Sequence, residues 1–364
     1  MADDPLPVLV LQGGGALGSY QAGVFAALAD GRFCPKWTAG ISIGAINAAL
    51  IAGNPPDRRV TRLTEFWDMV TSGLPQLVPA LSDGFMRGWH EWAAGATATF
   101  GAPGFFRPRW PPALPWLRGP LGVYDTAPLR ETLLRLVDWD LLNSGAVRLS
   151  VGAVNVTTGN FRYFDTKYQQ LGPEHIMASG ALPPGLPPVL IDGEYWWDGG
   201  LVSNTPLDHV LGEERQCDMM IFQVDLFPAR GPMPQTQDEA DERVADIRFS
   251  SRTRLGTDNA VQRNAERRAL ARLVSSLPPE LAASEDVALL VSAARQNRVG
   301  ICQLIYRDKA WQGSAKGREF SRSTMRLHWD SGFVDASAGL ARAPWLERPL
   351  PEGVTSFDPG AGER

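Results

Sequence analysis

Ser42 lies between two glycines in Gly40-Ile41-Ser42-Ile43-Gly44, at the end of a short apolar run. An earlier run, Val8-Leu9-Val10-Leu11, ends in Gly13-Gly14-Gly15. The first pattern is that of a sharp strand-to-helix turn that exposes a serine hydroxyl, because only glycine at the flanks leaves room for the strained backbone. The second is a turn whose backbone N–H groups carry no side chains over them and can face a developing oxyanion. Acyl transfer needs both a nucleophile and such donors. It also needs a base, since a serine is a poor nucleophile until its proton is taken. Asp198 is the candidate, because Gly199 and Gly200 after it allow the backbone to pack close to the elbow. A carboxylate with an ordinary pKa near ~3.9 is a weak base, so this pairing requires a semi-enclosed, partly apolar site that raises it.

The surrounding pattern supplies the elements to position these groups. Residues 7–12 read as a strand, 18–30 as a helix, 36–41 as a second strand and 43–52 as a second helix, with Gly31 and Gly53 following the helices as stop signals. Such a unit predicts a parallel sheet with a right-handed crossover, and it puts the glycine turn and Ser42 at the carboxyl edges of neighbouring strands. Downstream, a strand over 147–156, a Thr157-Thr158-Gly159-Asn160 turn and a strand near 161–164 read as a hairpin. A second hairpin spans 189–197 around Asp192-Gly193 and ends in Asp198. Strands are also expected over 219–224 and 299–306, one or two salt-bridged helices over 238–274, a helix-like segment over 316–329 and a loose tail from 344.

Between residues 83 and 118 the pattern breaks into Gly, Pro and aromatics, including Trp89, Trp92, Phe105, Phe106 and Trp110. Two readings stand open. The segment is an aromatic cluster packed on the core, or it is a lid that brings Phe105 and Phe106 to an acyl chain.

Composition bounds the rest. The 364 residues, 44% hydrophobic and 21% charged, are globular material, and a net charge of -5 without a long basic run argues against a nucleic-acid partner. Cys34, Cys217 and Cys302 are widely spaced and lack metal-ligand spacing, which predicts free thiols in a reducing compartment. The first six residues hold Asp3 and Asp4 instead of a basic and then apolar leader, so a cytoplasmic protein is expected. No apolar stretch reaches the ~18 to 20 residues of a spanning helix, which leaves peripheral contact as the expected mode of meeting a membrane.

Three motifs occur together in one order. They are Gln12-Gly13-Gly14-Gly15-Ala16-Leu17-Gly18 with Tyr20-Gln21-Ala22-Gly23-Val24, then Gly40 to Ala48 around Ser42, then Ala178-Ser179 through a proline passage to Trp197-Asp198-Gly199-Gly200 and Asn204-Thr205-Pro206. Together they resemble the patatin-like phospholipase family. The resemblance implies a three-layer α/β/α fold with a mostly parallel central sheet, a Ser42–Asp198 dyad, an oxyanion hole from Gly13, Gly14 and Gly15, and cleavage of lipid acyl esters without cofactor or metal. Leu17 departs from the Arg or Lys that many members carry there. Lys316, Phe320 to Ser323, Met325, His328 and Trp329 resemble a C-terminal extension found on a bacterial subset of the family.

The expected organisation is a catalytic domain over 1–227 with an insertion at 83–120, an extension over 228–343 that completes or docks on it, and a tail over 344–364. A rival α/β-hydrolase would complete a Ser-Asp-His triad with His209 or His328. A dinucleotide-binding module would explain Gly13, Gly15 and Gly18, but it wants an acidic residue where Gly40 and Ile41 stand. A non-catalytic scaffold would leave serine, aspartate and glycine turn without use.

Overall fold

β1 (Leu6–Leu11) sends Val8 and Val10 into one apolar cluster and Leu9 and Leu11 into another. Burial on both faces is what a parallel strand inside an α/β layer requires. The computed structural model describes residues 4–75, 83–110, 121–213, 217–278, 284–294, 297–307, 315–342, 350 and 353–360.

The remaining strands are β2 (Trp37–Gly40), β3 (Arg107–Pro108), β4 (Tyr124–Asp125), β5 (Arg148–Asn155), β6 (Phe161–Asp165), β7 (Val189–Ile191), β8 (Glu194–Asp198), β9 (Met219–Asp225), β10 (Val299–Ile305) and β11 (Val354–Phe357). Among the described residues one sheet runs in the order β11-β10-β9-β1-β2-β5-β8-β7, with β6 beside β5. The stretch from β11 to β5 is parallel throughout, and β6, β7 and β8 add antiparallel pairs at one side. Helices Gly18–Leu28, Ile43–Ala52 and Arg59–Val70 bury their apolar residues on one face. Leu207–Gly212 covers the other, with the long helix Gln237–Ser275 packed on it. The fold is thus three-layered α/β/α with a mostly parallel central sheet.

The C-terminal residues are woven into this architecture. β10 extends the sheet at β9, and helix Arg322–Arg342 lies along helix Gly18–Leu28, where the Tyr20 hydroxyl donates to Asp335 at 2.8 Å. Residues 344–364, expected as a loose tail, contribute β11 in register with β10. The charged stretch is a single helix, Gln237–Ser275, whose first turn is capped by the Thr236 hydroxyl.

The aromatic segment is more regular than expected. Helix Asp83–Phe100 buries His90, Ala93, Ala94 and Thr97, one face at i, i+3, i+4 spacing, while Gly88 and Gly95 face open space and cost only helix propensity. Phe105 is buried against Phe66 and Phe320, and Phe106 packs on Tyr124 and Phe320. Phe105 belongs to the main hydrophobic core, and Phe106 is partly buried against it. The exposed aromatics are Trp92, Phe100 and Trp110. Trp116 lies outside the described residues.

Candidate active site

The elbow is built by steric exclusion. β2 ends at Gly40, Ile41 donates its N–H to the Leu11 carbonyl at 3.1 Å, and helix Ile43–Ala52 begins immediately after Ser42. Ser42 has φ 55° and ψ -123°, a left-handed conformation that costs a non-glycine residue about 1–3 kcal/mol. A side chain at Gly40 would run into the Gly44 carbonyl, and one at Gly44 into the Leu11 carbonyl, so the tight turn tolerates only glycine at both flanks. The Ser42 N–H donates to the Ser179 hydroxyl at 3.1 Å, and that hydroxyl donates to the Gly152 carbonyl at 2.7 Å.

Register explains how Asp198 arrives beside it. β6 pairs with β5 across Ser150–Val154, a span that overlaps both the residues facing β2 and those facing β8. A strand has two edges, so β2 and β8 must share the other one. β2 runs parallel to β5 and ends with Gly40 opposite Val151; β8 runs antiparallel and ends with Asp198 opposite Ala153. The two strands meet end to end, and the residues that follow them, Ser42 and the Asp198-Gly199-Gly200 turn, converge.

Asp198 is buried, at 2% exposure. Its Oδ1 accepts the Gly200 N–H at 2.7 Å. Burial pushes the carboxyl pKa up to about 7, against the Gly200 amide and the neighbouring Ser42 hydroxyl, which favour the charged form. Gly199 packs on the Gly152 carbonyl, and Gly200 leaves space beside Asp198 and Asn204. A carboxyl titrating near neutrality is suited to exchange a proton with an alcohol.

The glycine turn also reaches the elbow. Gly13 approaches Ser42 so closely that a Cβ added to it would stand 3.1 Å from the serine Cβ. Asn204 grips Gly13 at both ends: its carbonyl accepts the Gly13 N–H at 3.1 Å and its Nδ2 donates to the Gly13 carbonyl at 2.9 Å. In a trans peptide this turns the Gly14 N–H the other way. Gly15, at φ 57°, opens the one-turn helix Gly15–Leu17, and the first amides of a helix have no acceptor within it. Leu17, where the sequence departs from the Arg or Lys of the resemblance, is fully buried in the core.

Three supporting residues had a place in the motifs but no role. Gln12 is fully buried; its amide donates to Thr205 and to the Phe249 carbonyl, and its Oε1 accepts from Leu226 and Phe227 at 2.6 and 3.1 Å. Asn204 and Ser179 are the others. The available signal was a polar residue against glycine at the end of an apolar strand, which marks a buried polar side chain but not its partners.

The rival triad is not assembled. The His209 ring bonds Asp165 at 3.3 Å, stacks on Tyr163 and packs on Trp37 at the amino end of β2, about 10 Å of strand from the end that leads to Ser42. His328 is buried against Tyr306 on helix Arg322–Arg342. Among the described residues no group of His, Cys, Asp and Glu could hold a metal ion, and no helix is long and apolar enough to cross a membrane.

The family model for patatin-like phospholipase matches residues 9–211, and a second, described as patatin phospholipase, matches residues 247–352. No curated protein sequence matches the chain. Among solved structures, VipD from Legionella pneumophila aligns over 93% of this chain and 67% of its own at 14% identity, with a TM-score of 0.39. The heterodimeric ExoU–SpcU complex from the type III secretion system of Pseudomonas aeruginosa aligns over 94% and 70% at 16% identity, with a TM-score of 0.25. The first family match alone takes in the glycine turn, the elbow and the Asp198 loop, and it spans more than half of the chain: this protein belongs to the patatin-like phospholipase family.

Proposed function

We propose that the protein is a serine lipid acyl hydrolase that works through a Ser42–Asp198 dyad. The observation that carries the reading is the end-to-end meeting of β2 and β8 on one edge of β5, which sets a strained serine beside a buried carboxyl poised near neutral pH. The Asp198 carboxylate takes the Ser42 proton as Oγ attacks the ester carbonyl. Negative charge forms on the carbonyl oxygen, facing the amides of the Gly13 to Gly15 turn. As the C–O bond breaks, the Asp198 proton passes to the leaving alkoxide, which departs as the alcohol, and the acyl group stays on Ser42. Asp198 then takes a proton from water, whose oxygen attacks the acyl carbon; the Ser42 alkoxide leaves, recovers that proton, and the free acid is released.

A positioned base contributes roughly 100- to 10000-fold, and each good oxyanion donor about 100- to 1000-fold. Gly40, Gly44 and Gly199 serve this geometry by allowing close backbone approach, and Gly200 by leaving room for the Asp198 and Asn204 side chains. Rapid quench of the protein with a short p-nitrophenyl ester, followed by mass spectrometry of its peptides, tests the reading. The acyl mass belongs on the peptide that contains Ser42; acylation at any other residue rejects it.

A further inference from the structure

We infer that Lys316 is a positioning residue for the glycine turn: anchored between Glu242 and Asp246, it holds Gly317 against Gly14 and Gly15 and so sets the oxyanion donors from the C-terminal half of the chain. The inference rests on the proposed role of that turn.

Lys316 is buried, and its Nζ stands 2.9 Å from Glu242 Oε1 and 2.9 Å from Asp246 Oδ1, one turn apart on helix Gln237–Ser275, with the Phe227 ring 5.8 Å away. An ammonium buried between two carboxylates is a stiff anchor, because withdrawing it leaves like charges facing each other out of water. The next residue, Gly317, makes a backbone-to-backbone contact with the turn. Its carbonyl fills the space a Gly15 side chain would need, and a Cβ on Gly317 would lie 3.4 Å from the Gly14 carbonyl. No flexible side chain mediates, so movement of Gly317 is movement of the turn.

The strap is pinned beyond Gly317 as well. Glu319 accepts the Ser321 N–H at 2.9 Å and pairs with His90 at 3.1 Å, Phe320 packs on Phe105, and Arg322 donates to the Asp68 carbonyl. A second connection runs independently from the helix that carries both carboxylates: its Phe249 carbonyl accepts from Gln12, the residue immediately before the turn. The turn is therefore held by Asn204 at Gly13 and by the extension at Gln12, Gly14 and Gly15. Oxyanion donors act only within a few tenths of an ångström of their working position.

The test uses the full chain with Lys316→Met, and with Lys316→Met combined with Glu242→Gln and Asp246→Asn, which removes the uncompensated charges. Three quantities are read: hydrogen exchange of the peptide spanning the glycine turn, the melting temperature, and kcat and KM on a short soluble ester per site labelled to completion by a fluorophosphonate. The expected result is faster exchange at the turn in both variants, with kcat per labelled site lowered at least about tenfold, part of the loss a missing donor causes, and KM within about twofold. The triple variant should regain melting temperature without regaining kcat. Unchanged exchange in both variants overturns the anchor, as does recovery of kcat in step with melting temperature. Faster exchange with normal kcat instead removes the turn from catalysis, and this inference falls with that assignment, whereas acylation at Ser42 would stand.

Discussion

The Ser179 hydroxyl stands 3.1 Å from the backbone nitrogen of Ser42, and through it the elbow is tied to the Gly152 carbonyl of β5, 2.7 Å away. The two serines lie far apart in sequence, at the turn from β2 into helix Ile43–Ala52 and on helix Pro173–Ser179. One buried hydroxyl thus satisfies a donor of the strained turn and an acceptor of β5.

Ser179→Ala should strand both groups. Leaving a buried donor or acceptor without a partner costs about 1–3 kcal/mol, so urea unfolding should show a loss of that size. The elbow should relax as well, and kcat for a short ester should fall by about tenfold, equivalent to roughly 1.4 kcal/mol of barrier. A variant as stable and as active as the parent would show that the hydroxyl merely fills space.

The buried Asp198 links activity and stability to pH with opposite signs. Its carboxyl keeps its proton in the folded state up to about 7, while in the unfolded chain it ionises near 3.8. Below that lower value both states hold the proton and burial carries no ionisation cost. As pH rises between the two values the unfolded state is progressively favoured, by an order of magnitude of 4 kcal/mol above pH 7. Asp198→Asn should therefore equal the parent in stability near pH 4 and exceed it by a few kcal/mol at pH 8. The burial of Asp225, also pushed up to about 7, is common to both proteins and cancels. For the parent, kcat/KM should rise with pH to a plateau with its midpoint near 7. Equal stability of the two proteins at pH 8 counts against the raised pKa.

The first βαβ unit and both hairpins were legible because their signals are local: apolar runs of strand length, stop glycines and Asp192-Gly193, whose φ values of 52° and 83° suit a tight turn. The glycine turn and elbow were legible for the same reason. The helix at Asp83–Phe100 was obscured because Gly88 and Gly95 read as breaks, although on an open face they interrupt nothing. β11 has only four residues and takes its strand character from pairing with β10. Gln12, Asn204, Ser179 and Lys316 act through partners far along the chain, and no spacing in the sequence encodes such partners.

Gly14→Ala and Gly15→Ala should separate function from folding. At Gly14 an added methyl meets the Leu226 and Phe227 side chains, which can give way at about 1–3 kcal/mol. The protein should fold, with kcat lowered about 100-fold or more. At Gly15 the methyl meets the Gly317 carbonyl at a φ of 57°, and a larger loss of stability is expected. Thermal melts with ester kinetics check both; a folded Gly14→Ala protein of normal kcat rejects the oxyanion assignment.

Phe105→Ala should behave as a core substitution. Truncating a buried phenylalanine costs about 3–5 kcal/mol, and the ring packs on Phe66, Phe106 and Phe320. Melting temperature should fall by several degrees, and activity should fall equally on short soluble and long-chain esters at a temperature where the protein is folded. Selective loss on the long-chain ester with an unchanged melt would restore the lid reading.

The central claim is that Ser42 and Asp198 act as one unit. Its most direct test is kcat for a short p-nitrophenyl ester in Ser42→Ala, Asp198→Asn and the double variant, with His209→Ala alongside. Members of one catalytic unit are grossly non-additive. Each single variant should fall to near background, the double variant should be little worse, and His209→Ala should keep most of its activity. Retention of most activity by Asp198→Asn, together with its loss in His209→Ala, would contradict the dyad and require a histidine base.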